Sequence, residues 1–317
     1  EKILLVSSNE TYGEFIAKNK SKLKSKFFFN YPSVKLQHTL VNKEDFYKTY
    51  ADSVIDLPRS IYYDCTKNEE IKPEDITFPV VGKKKIYKLD TMEELLDVID
   101  KFKKGNYTDT IIIQEYIPGD DSHLFDAVVY ADKNKKVKMV SFAQIGLQEH
   151  APRMIGNAAV IINGYSQYPG VEEQIEKIRK FTEKIGYQGF AEFDMKYDAR
   201  DGKYKVMEIN ARQGRCSYYI TPAGFNLIEL LYKDLIEGKE LKYKVCDKEV
   251  LETFVPKCIV KKYITNEEFK KKALSMWKDR TEALNYKKDN GFLRKLLLLK
   301  IRYNYIKAYK EFKWDWK

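Results

Sequence analysis

The chain has 317 residues and a formal net charge of +10; 44% of its residues are hydrophobic and 33% are charged. This composition predicts a globular protein of roughly two domains and excludes a disordered chain, and no apolar run approaches the ~18 residues of a membrane span. Four cysteines without C-x-x-C or metal-ligand spacing, and without a secretory signal, predict reduced thiols in a cytoplasmic protein.

The N-terminal part of the chain predicts a strand followed by helices. Residues 3–7 have the composition of a buried strand, and a helical pattern comes after them. Because this strand begins almost at Glu1, we expect residues 1–41 to be the remnant of a domain whose earlier residues lie upstream. Asn42 is predicted to cap the next helix, which carries Lys43.

The middle of the chain alternates between strand and helix patterns. A capping box at Thr91 and Glu94 begins one helix, and apolar residues at helical spacing predict others at 171–185 and 227–236. Strands are predicted at residues 60–63, 78–81, 85–89, 110–116, 124–130, 137–145, 189–197 and 203–209. This mixture of hairpins and helices predicts an α+β fold.

The hairpin formed by the last two strands is predicted to bring acidic side chains together. Since side chains alternate along a strand, Glu192, Asp194 and Lys196 share one face of the first strand, and Val206, Glu208 and Asn210 share one face of the second. The predicted turn pairs Asp194 with Glu208 and Glu192 with Asn210. Without a cation these groups would repel one another, and oxygen ligands of this kind suit Mg²⁺. The alternative is a solvated strand face.

These motifs together resemble the ATP-grasp superfamily of ATP-dependent carboxylate–amine ligases. The matching segments are residues 190–197 (FAEFDMKY), 207–212 (MEINAR) and 112–121 (IIQEYIPGDD). Within the superfamily, the likeness is closest to D-aspartate ligase-type proteins of bacterial cell-wall synthesis. That closer likeness includes residues 217–226 (SYYITPAGFN) and the basic tail with 285–289 (NYKKD).

The resemblance implies a role for each matching residue. Asp194, Glu208 and Asn210 match metal ligands that hold Mg²⁺ against the phosphates of ATP. The resemblance implies two such ions, which Mn²⁺ can replace. Lys43 matches a lysine that contacts phosphate, and Gly214 matches a loop whose backbone N–H groups face the substrate. The remaining nucleotide contacts match four hinge residues at the adenine and an acid at the ribose: Gln114, Glu115, Tyr116, Ile117 and Asp121.

The chain departs from the family pattern at two places. The family has a second phosphate lysine and a flexible loop after the strand at 78–81, whereas Val81 here is followed directly by Gly82. We expect either that Lys83 or Lys84 replaces the lysine, or that loop residues are absent from this sequence.

The second departure concerns the arginine that neutralises the transferring phosphate. Some relatives carry it two residues before the first metal acid, where this chain has Glu192. We therefore expect Arg212 to clamp the donor carboxylate or its acyl phosphate, because a guanidinium binds such groups through two hydrogen bonds. Arg153 and Arg215 are the second candidates.

The resemblance implies an ATP-grasp domain at residues 42–240, with a lid at about 57–113 and a core at about 114–240. The predicted function is amide formation through an acyl phosphate. The donor would be an amino acid such as D-aspartate, and the acceptor an amine of a nucleotide-linked peptidoglycan precursor. The alternatives are a related ligase that makes another peptide or amide, and a non-catalytic protein that binds anions.

The basic excess lies in the C-terminal extension, residues 241–317. Residues 261–317 contain 17 lysines and arginines against 7 acidic residues, and the rest of the chain is neutral. No nucleic-acid-binding motif is present. Apolar residues at helical spacing predict one helix, whose stripe would pack on the ligase body: Phe292, Leu296, Leu299, Tyr303 and Ile306. The basic face of that helix would be solvated, bind the anionic acceptor or contact a membrane.

Overall fold

A computed structural model gives the fold and describes residues 3–64, 89–105, 110–151, 154, 156–286, 288–289 and 291–312. The helices are α1 (Glu10–Lys18), α2 (Lys20–Leu23), α3 (Val34–Val41), α4 (Lys43–Tyr50), α5 (Met92–Lys104), α6 (Val171–Lys184), α7 (Leu227–Leu235), α8 (Lys257–Tyr263), α9 (Glu267–Ser275) and α10 (Phe292–Glu311). The strands are β1 (Ile3–Leu4), β2 (Phe27–Phe28), β3 (Ser60–Asp64), β4 (Thr110–Gln114), β5 (Leu124–Ala131), β6 (Val137–Ser141), β7 (Ala143–Gln148), β8 (Ala158–Asn163), β9 (Gly189–Asp198), β10 (Lys203–Asn210), β11 (Lys244–Cys246) and β12 (Val250–Thr253).

A mostly antiparallel sheet forms the centre of the fold. Its strand order is β10-β9-β5-β7-β8-β12, and β6 pairs with both β5 and β11. One apolar cluster, which includes Phe46, Phe181 and Phe193, joins the sheet to α4 and α6. A second cluster includes Tyr130 and Leu231 and joins other sheet residues to α7. The predicted α+β fold is therefore confirmed.

A smaller antiparallel pair, β3 with β4, packs against α5. The predicted capping box begins this helix, because the Thr91 side chain accepts from the Glu94 backbone and the Glu94 carboxylate accepts from the Thr91 backbone. The predicted strand at 78–81, most of the one at 85–89, and Lys83 and Lys84 lie outside the described residues.

Helix α4 is anchored against the hairpin. The Asn42 side chain caps it, as predicted, by accepting a hydrogen bond from the Asp45 backbone N–H at 3.0 Å. Tyr47, one turn later, is buried, and its hydroxyl donates to the Met207 carbonyl of β10 at 2.6 Å. This contact fixes the beginning of α4, and with it Lys43, beside the polar end of β10.

Helix α10 faces the opposite way from the prediction. Four residues of the predicted stripe, Phe292, Leu296, Leu299 and Tyr303, are exposed. Of the predicted stripe only Ile306 packs on the body, beside Tyr305 and the fully buried Tyr309, whose hydroxyl donates to the Gln148 carbonyl. The prediction that the whole stripe covers the body is wrong, because Arg294 and Arg302 turn inward and find polar partners there. Among the described residues, no helix is both long and apolar enough to cross a membrane.

Candidate active site

The β9–β10 hairpin pairs the residues that the sequence predicts, Asp194 with Glu208 and Asn210 with Glu192. Near the turn of the hairpin, the strand register differs by one residue from the predicted register. A bulge between Val206 and Glu208 restores the predicted register for the acidic pairs. The bulge also places Val206 in the apolar core, so the prediction that it shares a face with Glu208 is wrong. The hairpin thus projects its acids from one patch.

A further acid, Asp126 on β5, extends this patch across the sheet. Asp126 pairs with Asp194, which pairs in turn with Glu208, so three adjacent strands each contribute one carboxylate. Carboxylate oxygens of Asp126, Glu192 and Asp194 lie within 4.8 Å of one another. The prediction missed Asp126, although an acid within the apolar run 124–130 was a signal for it. Tyr219 holds it through a hydroxyl hydrogen bond of 2.7 Å.

Arg212 lies beside these acids and pairs with the buried Glu192. Its Nη1 is 2.8 Å from Glu192 Oε2, and its Nη2 donates to Asn210 Oδ1 at 3.3 Å. Glu192 occupies the position where some relatives carry an arginine. Arg212, which follows β10, therefore compensates the charge of the acid on the neighbouring strand β9.

Burial and mutual repulsion disfavour ionisation of the clustered acids. Burial, followed by the nearby Asp194 charge, raises the pKa of Asp126 to about 7. Burial and the neighbouring carboxylates also raise the pKa values of Glu192 and Asp194 well above their usual range. Burial acts in the same direction on Glu208, but the Lys43 ammonium and the hydrogen bonds from Asp194 and Asn210 together lower the pKa of this carboxyl. Full ionisation of the cluster needs more positive charge than Lys43 and Arg212 supply.

The donor set fits a hard divalent cation. It offers the carboxylate oxygens of Asp194 and Glu208, and those of Asp126 and Glu192 lie close to Asp194. The Asn210 amide nitrogen donates to Asp194 Oδ2 at 2.9 Å, so the amide would have to turn to offer its oxygen to a cation. Oxygen ligands of this kind are those that Mg²⁺ accepts, usually together with water and substrate phosphate. A bound cation would also relieve the repulsion that raises the pKa values of the buried acids.

Lys43 lies at the exposed edge of the acid patch. Its Nζ is 3.1 Å from Glu208 Oε2, and both side chains are partly exposed. A flexible ammonium at such an edge can contact a phosphate group that is held by the same carboxylate through a metal ion. The predicted phosphate lysine and the predicted metal ligand are therefore neighbours.

The hinge side chains have structural partners. The Glu115 carboxylate is buried and forms ion pairs with Arg59 at 2.9 Å and Lys205 at 2.8 Å. Gln114 donates to Ser60 across the β3–β4 pair at 3.1 Å, and Ile117 is buried. The Glu115 backbone N–H donates to the Arg59 carbonyl at 2.9 Å, so any contact of Glu115 with a nucleotide would use its backbone carbonyl.

Tyr116 and Asp121 flank Lys196, which the prediction placed on the same strand face as Asp194 but gave no role in the site. Lys196 lies two residues after Asp194 on β9, 5.3 Å from the centre of the Tyr116 ring, and donates to the Gly119 carbonyl at 3.0 Å. The two Asp121 carboxylate oxygens accept from the backbone and side-chain N–H groups of Gln148, each at 2.8 Å. A ribose contact from Asp121 would have to share these oxygens.

Of the two second-choice arginines, Arg215 is described and Arg153 lies outside the described residues. Arg215 forms an ion pair of 2.9 Å with Glu149, a largely buried acid. Tyr305 of α10 lies close enough to interact with the same arginine. Arg215 therefore links the loop after β10 to the C-terminal helix, whereas Arg212 points to the acid cluster.

Comparison with known proteins decides the family. No family model matches the chain. D-aspartate ligase of Enterococcus faecium (strain Aus0004) is 33% identical over 337 residues, an alignment that covers 98% of this chain and 79% of that protein. The chain belongs to the D-aspartate ligase family. The predicted class of enzyme, an ATP-dependent ligase that forms carbon–nitrogen bonds, is confirmed by this membership.

Solved structures confirm the ATP-grasp fold of this D-aspartate ligase family member. The L-amino acid ligase from Bacillus licheniformis superposes with a TM-score of 0.52 at 18% identity and covers 72% of this chain and 54% of its own. The biotin carboxylase domain of the Hydrogenobacter thermophilus 2-oxoglutarate carboxylase has a TM-score of 0.59 at 16% identity, with coverages of 77% and 55%. The chain thus spans about half the length of these solved proteins.

Gly214 in this D-aspartate ligase family member has no room for a side chain. A Cβ atom there would lie 1.6 Å from Glu192 Oε1 and 2.4 Å from its carboxyl carbon. We expect Gly214→Ala to displace Glu192 from Arg212, lower turnover and destabilise the fold by about 1–3 kcal/mol, as overpacking does. Melting curves and steady-state turnover measure both effects.

The matched control is Gly291→Ala, where the added methyl meets no atom within 4 Å. This variant should melt and turn over like the parent protein. If Gly214→Ala also behaves like the parent, Glu192 can move without consequence, and its contact with Arg212 is not needed.

Proposed function

We propose that the protein uses ATP and two Mg²⁺ ions to join an amino acid such as D-aspartate to an amine. Mn²⁺ can replace the Mg²⁺ ions. The donor carboxylate is first converted to an acyl phosphate. The acceptor is an amine of a nucleotide-linked peptidoglycan precursor. The observation that carries this proposal is the row of carboxylates on β10, β9 and β5, with Lys43 at one edge and Arg212 beside it.

The comparisons support the proposal on two sides. The relative from Enterococcus faecium is named as a D-aspartate ligase, which favours D-aspartate as donor. The Hydrogenobacter thermophilus domain was solved in complex with MgADP, which favours a magnesium-bound adenine nucleotide in the same fold.

The proposed reaction has two displacements. An oxygen of the donor carboxylate attacks the γ-phosphorus of ATP, the bond to the bridging oxygen breaks, and ADP leaves. The amine nitrogen of the acceptor then attacks the acyl carbon, inorganic phosphate leaves, and the nitrogen loses a proton. Both steps depend mainly on positioning and charge, so no protein nucleophile is needed.

The residues contribute charge and orientation to these steps. Asp194, Glu208 and Asn210 would hold Mg²⁺, which neutralises phosphate charge when bound. Lys43 would contact a phosphate oxygen once a cation binds Glu208. Arg212 would bind the donor carboxylate or acyl phosphate, and its hydrogen bonds to Glu192 and Asn210 hold its guanidinium in position.

We expect D-aspartate to stimulate phosphate release from Mg–ATP and, with hydroxylamine in place of the acceptor, to yield aspartyl hydroxamate. The hydroxamate arises because hydroxylamine attacks an acyl phosphate as an amine would. The measurement compares D-aspartate, L-aspartate and D-alanine by phosphate release and hydroxamate colour. Phosphate release without hydroxamate would contradict the acyl phosphate, and release that is independent of added amino acid would contradict the ligase activity.

A further inference from the structure

The outward face of α10 carries an apolar stripe, here called the outer stripe, that consists of Phe292, Leu296, Leu299 and Tyr303. These side chains are 75%, 47%, 58% and 66% exposed, with no cover from the part of the chain that the structure describes. They recur at i, i+4, i+7 and i+11, so they form one line about 16 Å long on the helix. A contiguous exposed apolar surface of this kind usually marks a binding site.

The charges around the outer stripe are positive. Helix α10 contains six lysines and arginines and a single acid, Glu311, at its last position. The arginines turn inward: Arg302 pairs with Glu282 at 2.9 Å, and Arg294 donates to the Leu284 carbonyl at 2.8 Å. The exposed cations beside the outer stripe are therefore lysines, namely Lys295, Lys300, Lys307 and Lys310.

We propose that the outer stripe and its lysines bind the surface of a membrane that contains anionic lipids. An interfacial helix inserts Phe and Leu side chains at the level of the headgroups, while lysines reach anionic phosphates beside them. The inward face of α10, through Tyr305 and Tyr309, stays packed on the protein. The helix would therefore lie along the membrane without leaving the body of the protein.

The positive charge beside the outer stripe favours a lipid surface over the other partners that could cover the stripe. A second copy of the chain would place the same lysines opposite one another when two outer stripes meet, which is repulsive. A nucleotide-linked precursor offers negative charge but little apolar surface for Phe292 and Leu299. An anionic bilayer complements both the lysines and the stripe, and each lysine near such a surface strengthens binding about fivefold.

The test is co-sedimentation of the purified protein with vesicles of phosphatidylglycerol and phosphatidylcholine, and with vesicles of phosphatidylcholine alone. We expect binding to the anionic vesicles only. The triple variant Lys295→Gln, Lys300→Gln, Lys307→Gln should bind on the order of a hundredfold more weakly. The variant Phe292→Gln, Leu296→Gln, Leu299→Gln should lose binding as well, and both variants should keep the parent's turnover in the absence of vesicles.

The matched control replaces two exposed apolar residues elsewhere, Ile228→Gln and Tyr232→Gln on α7, each 46% exposed in the parent. This variant should bind vesicles like the parent, because only the α10 surface is involved. Equal binding by the parent and the outer-stripe variant would overturn the proposal. The proposal would also be overturned if the parent bound no vesicles and light scattering showed that it forms a dimer which the outer-stripe substitutions dissociate.

Discussion

Replacement of Glu208 by Gln is expected to lower Mg-dependent turnover on the order of a thousandfold, the loss seen when one strong electrostatic contact is removed from an active site. Gln keeps the size of the side chain but removes the charge that would hold the cation. The fold should be nearly unaffected, because the carboxylate is partly exposed and its ion pair with Lys43 belongs to a class worth about 0–1 kcal/mol. Turnover against Mg²⁺ concentration and melting temperature measure the two effects.

A matched variant tests whether the loss of any acidic side chain lowers turnover, or only the loss of a metal ligand. Glu237 forms an ion pair of 2.9 Å with Lys239 in the turn after α7, and Glu237→Gln should leave turnover unchanged. If Glu208→Gln retains turnover within about twofold of the parent, Glu208 is not a ligand. The metal-binding set would then have to be sought among Asp126, Glu192 and Asp194.

The paired acids of the hairpin could be predicted from the sequence, but the bulge that brings them together could not. Val206 and Met207 are both apolar, so the pattern does not show which of them is the extra residue. Near the turn, Lys203 pairs with Asp198, one residue away from the predicted register, and only the bulge returns Glu208 to Asp194. The predicted pairs were right because the shifted register near the turn and the bulge cancel each other.

The rest of the site depends on contacts between segments distant in sequence. The contact between Arg212 and Glu192 crosses the hairpin, and the bond from Tyr219 to Asp126 joins residues 93 positions apart. No periodicity encodes such contacts. Helix α10 shows a related limit, because apolar residues occur on both of its faces and the pattern alone does not select Tyr305 and Tyr309 as the buried side.

Replacement of Arg212 by Ala is expected to lower kcat/KM for the donor amino acid. The loss should correspond to about 2–5 kcal/mol of transition-state stabilisation, which is the usual cost of truncating one partner of a buried charge pair. The structure adds a second effect. The guanidinium also compensates Glu192, which is 7% exposed, so its removal leaves this buried carboxyl either charged without its cation or forced to take up a proton, and should lower the melting temperature. Donor kinetics and melting curves measure these effects separately. Arg179→Ala, which breaks the ion pair with Glu176 on α6, is the control and should alter neither donor parameter.

The double variant Arg212→Ala, Glu192→Gln decides which of the two effects limits turnover. Removing the negative charge at Glu192 removes the buried unpaired ion, so the melting temperature should return toward that of the parent. If Arg212 contacts the donor or its acyl phosphate, turnover should stay as low as in the single variant, because the guanidinium that binds the substrate is still missing. Recovery of turnover together with stability would instead show that Arg212 serves only to neutralise Glu192. The clamp on the donor would then have to come from another cation, and Arg215 and Arg153 would be tested next.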